Sequence, residues 1–317
     1  MAEIGKDILK AKRLLERCEL VAIPTETVYG LASNALDPGA VTKIFVAKER
    51  PSFDPLIIHV ASIEQAEKYV TSIPTKAKKL ADHFWPGPLT LVLPKNTQIP
   101  DIVTAGLETV GIRSPKHEVT LQLLSELDFP LAAPSANPFG YISPTTAQHV
   151  NDQLGDKIGY ILDGGPCEIG LESTIVGFEN ETPVIFRRGG LDETEIIKII
   201  GPVKTSLQSS SNPMTPGQLE SHYSPKKRFL LGDIESLRKE FKNLKAGILH
   251  FKQNNESNNV NEFFLSATGD VEEAARNLFA VLRQLDQMDV DIILAEKVPN
   301  IGIGKAINDR LQRASFK

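Results

Sequence analysis

The sequence predicts an α/β protein: an N-terminal twisted mixed sheet with helices around a concave pocket, followed by a small C-terminal parallel α/β domain. Three observations carry this. The chain has 317 residues, which at roughly 150 per domain suggests about two domains. Over residues 20–188, short apolar runs alternate with turns, but helices do not follow every strand; a mixed sheet fits that pattern better than a regular βαβ array. From residue 228 onward strand and helix patterns alternate regularly, as in parallel α/β units.

The elements follow in order. Ile8, Ala11, Leu15 and Cys18 recur at helical spacing, with Lys10, Arg13 and Glu16 on other faces, so a first amphipathic helix is expected. The apolar run 20–24 reads as a buried strand. Further strands are expected at 56–60, 89–94, 110–113, 130–134, 160–165, 173–178 and 184–188. Helical patterns fall near 40–48, 63–70, 75–84, 118–127, 145–154 and 192–200. Near residue 202 the composition turns to Ser, Pro and Gly without apolar periodicity, as in a linker. The second pattern has strands at 228–232, 246–251, 262–267 and 291–296, and helices near 234–243, 271–287 and 304–315. The division expected is therefore 1–205, a linker at 206–226, and 227–317.

Composition removes several classes. Lys plus Arg total 35 and Asp plus Glu 40, for a net charge of −5, which argues against a strongly basic nucleic-acid wrapper. Two cysteines, Cys18 and Cys167, allow neither a disulfide framework nor a thiolate metal cluster and suit a reducing compartment. With no apolar stretch near the roughly 18 residues of a membrane helix and no signal-like N-terminus, a cytoplasmic location is expected. No Walker-type phosphate loop, HExxH, CxxC or GxSxG is present, so covalent and metallohydrolase mechanisms lack local support. NIGIGKA (300–306) is only a partial echo of a dinucleotide fingerprint.

What the strand ends carry instead is a set of hydroxyls, small residues and isolated cations. PTETVYG (24–30) follows the first strand, and AKERPSFDPLIIH (47–59) places Lys48 and Arg50 before another. VGIRSPKH (110–117) puts Arg113 at a strand end, and APSANPFGYISPTTA (133–147) gathers Ser135, Asn137, Ser143 and Thr145. Ser173 and Thr174 lie in GLESTIV (170–176), and Arg187 and Arg188 in FRRGG (186–190). Taken singly these read as turns, helix caps or solvated faces, and His59 within an apolar strand reads as a core histidine. Together they suit an anion held by side-chain and backbone donors. Phosphoryl and nucleotidyl transfer need this positioning and charge neutralisation rather than a covalent nucleophile.

The ordered set PTETVYGLA, KERPSFDPLIIH, WPGPLTLVL, VGIRSPKH, PSANPFGYISPTTA, LDGGPCEIGLESTIV and FRRGG resembles the L-threonylcarbamoyladenylate synthase family over about residues 5–200. TPGQLESHYSP (215–225) resembles the interdomain linker of its two-domain members, and AEKVPNIGIGKAINDRLQRAS (295–315) the end of their second domain. The resemblance implies a YrdC-like catalytic domain and a Rossmann-like C-terminal domain. It also implies a reaction in which L-threonine, bicarbonate and ATP give threonylcarbamoyl-AMP and pyrophosphate. ATP is then a substrate accompanied by Mg2+, and the product passes to a tRNA threonylcarbamoyl transferase that modifies ANN-decoding tRNAs.

By the same resemblance Thr27, His59, Arg113, Ala133 and Ser173 face L-threonine. Arg50, Asp54, Thr109, Ser135, Ser143, Arg187 and Tyr223 face ATP, with Lys48 and Arg50 as the catalytic cations. Arg113 also has an independent reason, since a guanidinium pairs bidentately with a carboxylate. Tyr223 makes the linker a lid over the nucleotide. Three positions depart from the family's pattern: Asp54 for asparagine, Phe139 for serine and Gln218 for methionine. Asp54 cannot donate to phosphate, so a sugar hydroxyl or a metal-bound water is the expected partner.

Two other readings compete. One is an RNA-binding module without adenylating activity, whose basic pocket holds tRNA backbone. The acidic net charge and 6% aromatic content count against it, leaving weak RNA binding at most. The other is a larger carbamoyl-transfer enzyme, which needs zinc modules that two cysteines cannot build. Asp309 and Arg310 read as a helix-surface pair or a docking surface, the structural reading being favoured.

Overall fold

Short apolar runs become strands where neighbouring strands satisfy their backbone groups, and the first part of the chain is built this way. The structure, a computed structural model, describes residues 1–207, 215–216, 222–253 and 261–316. Its first part runs β1 (Glu3–Gly5), α1 (Ile8–Glu16), β2 (Val21–Ile23), β3 (Gly30–Asn34), α2 (Pro38–Lys48), β4 (Ile57–His59), α3 (Ile63–Glu67), α4 (Thr75–Phe84) and β5 (Leu89–Pro94). It continues through α5 (Asp101–Thr104), β6 (Thr109–Arg113), α6 (Glu118–Ser125), β7 (Leu131–Ala132), α7 (Ala147–Leu154), β8 (Tyr160–Leu162), β9 (Thr174–Glu179), β10 (Thr182–Arg187), α8 (Glu193–Ile200) and β11 (Lys204–Thr205). These strands form one 11-stranded sheet in the order β1-β8-β2-β3-β7-β4-β6-β5-β9-β10-β11. The sheet is mixed, as expected: β4 runs parallel to β6, whereas β5 runs antiparallel to β6 and β10 antiparallel to β9.

Four elements were not anticipated. β1 lies in a charge-rich stretch and forms because its backbone pairs with β8 at the sheet edge. β3, GLASN, has no β-branched residue, yet it is held between β2 and β7. At Gly30 a Cβ would come within 3.2 Å of the Ala133 side chain, so a larger residue there would push the two segments apart. The short α5 and the two-residue β11 lack any periodic signal.

Helix α2 fixes the position of two predicted cations. Asp37 caps it by accepting from the Ala40 amide, and Pro38 occupies the first turn, both favourable at a helix start. Glu49 ends it in the left-handed region at φ 54°. The chain therefore turns sharply between Lys48 and Arg50.

The second part contains β12 (Arg228–Leu231), α9 (Ile234–Glu240), β13 (Ala246–Lys252), β14 (Glu262–Ser266), α10 (Val271–Gln287), β15 (Ile292–Ala295) and α11 (Gly304–Ala314). Its four strands are all parallel, in the order β12-β15-β13-β14. The Asn-rich connection at 254–260, most of the linker and Gln218 lie outside the described residues. Helices α10 and α11 press against the first part. One apolar cluster joins Val28, Ile142 and Leu171 to Tyr223, Phe279, Leu282 and Leu311. Each such side chain contributes roughly 1.5–3 kcal/mol when buried.

Candidate active site

The mixed strand directions bring several segments of the large sheet around one cavity. The turns that follow β2 and β7, the strands β4, β6 and β10 and the residues just before β9 all contribute to its lining. His59 and Arg113 are register partners on the parallel strands β4 and β6. Parallel partners project to the same side, so both side chains reach one cavity. The loop after β2 is set by Thr25, whose hydroxyl donates to the Val28 carbonyl at 2.6 Å and accepts from the Thr27 and Val28 amides. This turn presents the Thr27 hydroxyl to Arg113 Nη1 at 2.8 Å.

Of the residues predicted from the sequence, Thr27, His59, Arg113, Ala133 and Ser173 all line this cavity. Arg50, Ser135, Arg187 and Tyr223 line it too, with Pro216 and His222 from the linker. Four others do not reach its wall. Thr109 lies on an adjoining small recess beside Thr215 and Pro216. Ser143 sits behind Glu172, to which its hydroxyl donates at 2.7 Å. Asp54 is fully buried, with one carboxylate oxygen 2.9 Å from Arg50 Nη2. That guanidinium compensates the buried carboxylate, since an unpaired one in apolar surroundings is strongly disfavoured. Lys48 is 1% exposed, and its ammonium donates to the carbonyls of Ser135 and Asn137. It holds the PSAN turn from behind and does not face the cavity.

The electrostatics are those of a buried cationic pocket. Burial lowers the pKa of Lys48 well below the usual value, with Arg50 adding to the effect. Arg50 and Arg187 are also pulled down by burial. Burial and Arg113 push His59 down to about 3, so its imidazole is neutral near pH 7. Burial raises Asp54 against the opposing pull of Arg50. Burial raises Tyr223 to about 12, leaving it a phenol. Arg113 is balanced by Glu26, 2.6 Å away, whereas among the described residues Arg187 makes no ion pair. Arg187 donates to the Ser173 carbonyl and hydroxyl, both at 3.1 Å, and to the Pro216 carbonyl at 3.2 Å.

Sequence reasoning left several residues of this site without a role. Glu26 and Glu172 stood inside the quoted motifs unassigned, and His222 was passed over beside Tyr223. Phe139, noted only as a departure, packs at 5.9 Å from the Arg50 guanidinium and edge-on to His222. The favoured placing of Asp309 and Arg310 as a surface pair is corrected. Arg310 is 0% exposed and its Nε donates to Glu172 at 3.1 Å. The available signal was its place on α11 among Ala306, Ile307, Leu311 and Ala314, the buried face. Arg283, in the apolar stripe of α10, gave the same signal; it donates to the Ile142 and Ser143 carbonyls.

A family profile described as "Telomere recombination" (Sua5_yciO_yrdC) matches residues 13–189. A second, described as "Threonylcarbamoyl-AMP synthase, C-terminal domain", matches residues 191–315. The threonylcarbamoyl-AMP synthase of Pyrococcus abyssi is 45% identical over 312 residues, covering 94% of this chain and 90% of that protein. The chain belongs to the threonylcarbamoyl-AMP synthase family. The Bacillus subtilis member is 41% identical over 322 residues, 97% of this chain and 92% of that protein. The crystal structure of P. abyssi Sua5 complexed with L-threonine superposes with a TM-score of 0.92 at 42% identity, covering 99% of this chain and 97% of that one. Membership makes the chain an adenylate-forming enzyme that uses ATP, and the reading as an RNA-binding module without adenylating activity falls. Among the described residues no helix is long and apolar enough to cross a membrane.

Proposed function

We propose that this cavity binds L-threonine at the Arg113 end and ATP at the Arg50–Arg187 end, and joins them through a carbamate. The single observation that supports this best is the convergence of Thr27, His59, Arg113, Ala133 and Ser173 with Arg50, Ser135 and Arg187 around one space. Arg113 takes the threonine carboxylate, and Thr27 fixes the guanidinium's orientation. The threonine amine combines with bicarbonate, losing water, to give a carbamate. A carbamate oxygen attacks the α-phosphorus of ATP, the bond to the bridging β-phosphate oxygen breaks, and pyrophosphate leaves. Arg50 and Arg187 balance charge on the phosphates. Lys48 acts at one remove, by holding the turn that presents Ser135. Tyr223 and His222, as a lid, exclude water from the mixed anhydride.

The residues do not build a resident metal site. Glu26 and Asp54 are each paired with an arginine, Glu172 is held by Ser143 and Arg310, and no metal-binding cluster of side chains occurs among the described residues. Mg2+ would in that case be carried by ATP itself, where it would offset charge on the phosphates. We place the catalytic unit at 1–205 and the lid at 206–226, with 227–317 as the docking domain. In this reading the protein works in the cytoplasm and hands its product to a tRNA threonylcarbamoyl transferase.

The test is pyrophosphate release with ATP, L-threonine and bicarbonate, and with each omitted. Release is expected only with all three. Equal release without threonine would sink the assignment.

A further inference from the structure

Between the two domains lies a buried charge arrangement that the proposed chemistry does not use. Glu172 lines the cavity together with Arg187 and immediately precedes Ser173, whose carbonyl and hydroxyl both hold the Arg187 guanidinium. Both carboxylate oxygens of Glu172 are turned elsewhere. Oε1 accepts from Ser143 at 2.7 Å, and Oε2 accepts from Arg310 Nε at 3.1 Å. Arg310 comes from α11, in the other domain. Its Nη1 is 2.8 Å from Asp309, and its guanidinium lies 5.2 Å from the centre of the Tyr223 ring. A second arginine of that domain, Arg283, anchors the Ser143 carbonyl. Helix α11 is tied to the first domain again through Lys305, which shares Glu193 with Arg188.

We infer that Arg310 is a positioning residue for the nucleotide end of the site: it draws Glu172 toward the second domain and so keeps Arg187 unpaired for the phosphates of ATP. Without Arg310, Glu172 is a buried carboxylate with only a serine hydroxyl for company. An uncompensated buried charge seeks the nearest opposite charge. The Arg187 guanidinium, held by the very next residue, is the cation available, and Glu172 already acts on it electrostatically. A Glu172–Arg187 pair would cancel the charge that the nucleotide needs. The docked domain thus contributes to the reaction through charge partition across the interface, with no atom of Arg310 touching substrate.

This inference rests on assigning Arg187 to ATP. Its test uses full-length variants and reads KM for ATP and for L-threonine separately in the pyrophosphate assay. Arg310→Met is expected to raise KM for ATP by about 10-fold or more, the order expected when one member of a buried pair is lost, while KM for threonine stays within about 2-fold. In a Glu172→Gln background the same Arg310→Met change should alter KM for ATP by less than about 3-fold, because the carboxylate to be sequestered is gone. Arg310→Lys, which keeps the charge, should fall between the wild type and Arg310→Met.

Parallel rises in both KM values, or an undiminished effect of Arg310→Met in the Glu172→Gln background, would overturn the inference in favour of a purely structural role. Should Arg310→Met alone fail to fold, the doubly substituted chain, which buries no orphan charge, decides by the same comparison with Glu172→Gln. A wild-type chain that releases pyrophosphate without threonine would instead remove the function on which the inference stands.

Discussion

The two sheets of this protein divide legibility and chemistry in opposite ways. The C-terminal sheet is regular: four parallel strands with α9, α10 and α11 as its described helices. The C-terminal ends of such strands are the usual ligand position, but the proposed chemistry lies in the other domain. The domain instead contributes arginines from α10 and α11, directed at its neighbour. The N-terminal sheet is irregular and mixed, and its loops make up most of the cavity wall. Regularity makes a scaffold easy to recognise. The departures from it place functional groups together: the turns after β2 and β7 and residues of β4, β6 and β10 share one cavity.

Removing the second domain tests this division most severely. A chain ending after residue 205 loses Tyr223 and the partner of Glu172, and its pyrophosphate release is expected to fall by at least about 100-fold, on the scale of losing several positioning contacts. Full activity in that chain would make the second domain a passive appendage. A more selective probe is Arg113→Ala. It should raise KM for threonine by about 100-fold, the order for a lost charge-assisted pair, while ATP binding measured by calorimetry changes little. Equal damage to both ligands would mean that the two ends of the cavity are not separable.

The smallest effect concerns pH. His59 has a folded-state pKa of about 3, depressed from 6.5. Below about pH 6.5 the unfolded chain takes up a proton that the native chain refuses, so stability falls as the pH drops from there toward 3. Between about pH 6.5 and 5 this amounts to about 2 kcal/mol. Urea titrations should show a shallower acid limb for His59→Gln. An identical limb would show that other groups, such as His149, also depressed by burial and Arg283, dominate the acid response.

Much of this arrangement was readable from residue patterns. The apolar periodicity of α10, from Ala274 to Leu285, marks a helix whatever surrounds it. β3 was not readable, since Gly-Leu-Ala-Ser-Asn becomes a strand only because β2 and β7 offer hydrogen bonds on both sides. The same contrast runs through the site. That Arg113 and Thr27 lie at one cavity was legible because motif and chemistry agreed. Asp54 and Lys48 lie outside the lining of the cavity. A sequence shows that a charged residue adjoins a site, but not whether its partner is a ligand or a backbone carbonyl behind it. Arg310 was hidden for a further reason: its partner Glu172 is 138 residues away in the chain, beyond any local pattern.

The hold of Lys48 on the PSAN turn has a last consequence. Its ammonium grips the Ser135 and Asn137 carbonyls, and its own carbonyl accepts from the Phe139 amide at 2.8 Å. One residue thereby immobilises a five-residue turn from within the protein interior. The entropy of ordering that segment is lost during folding, so in the proposed placement of ATP the triphosphate meets a pre-ordered rim and keeps more of its own binding energy for the reaction.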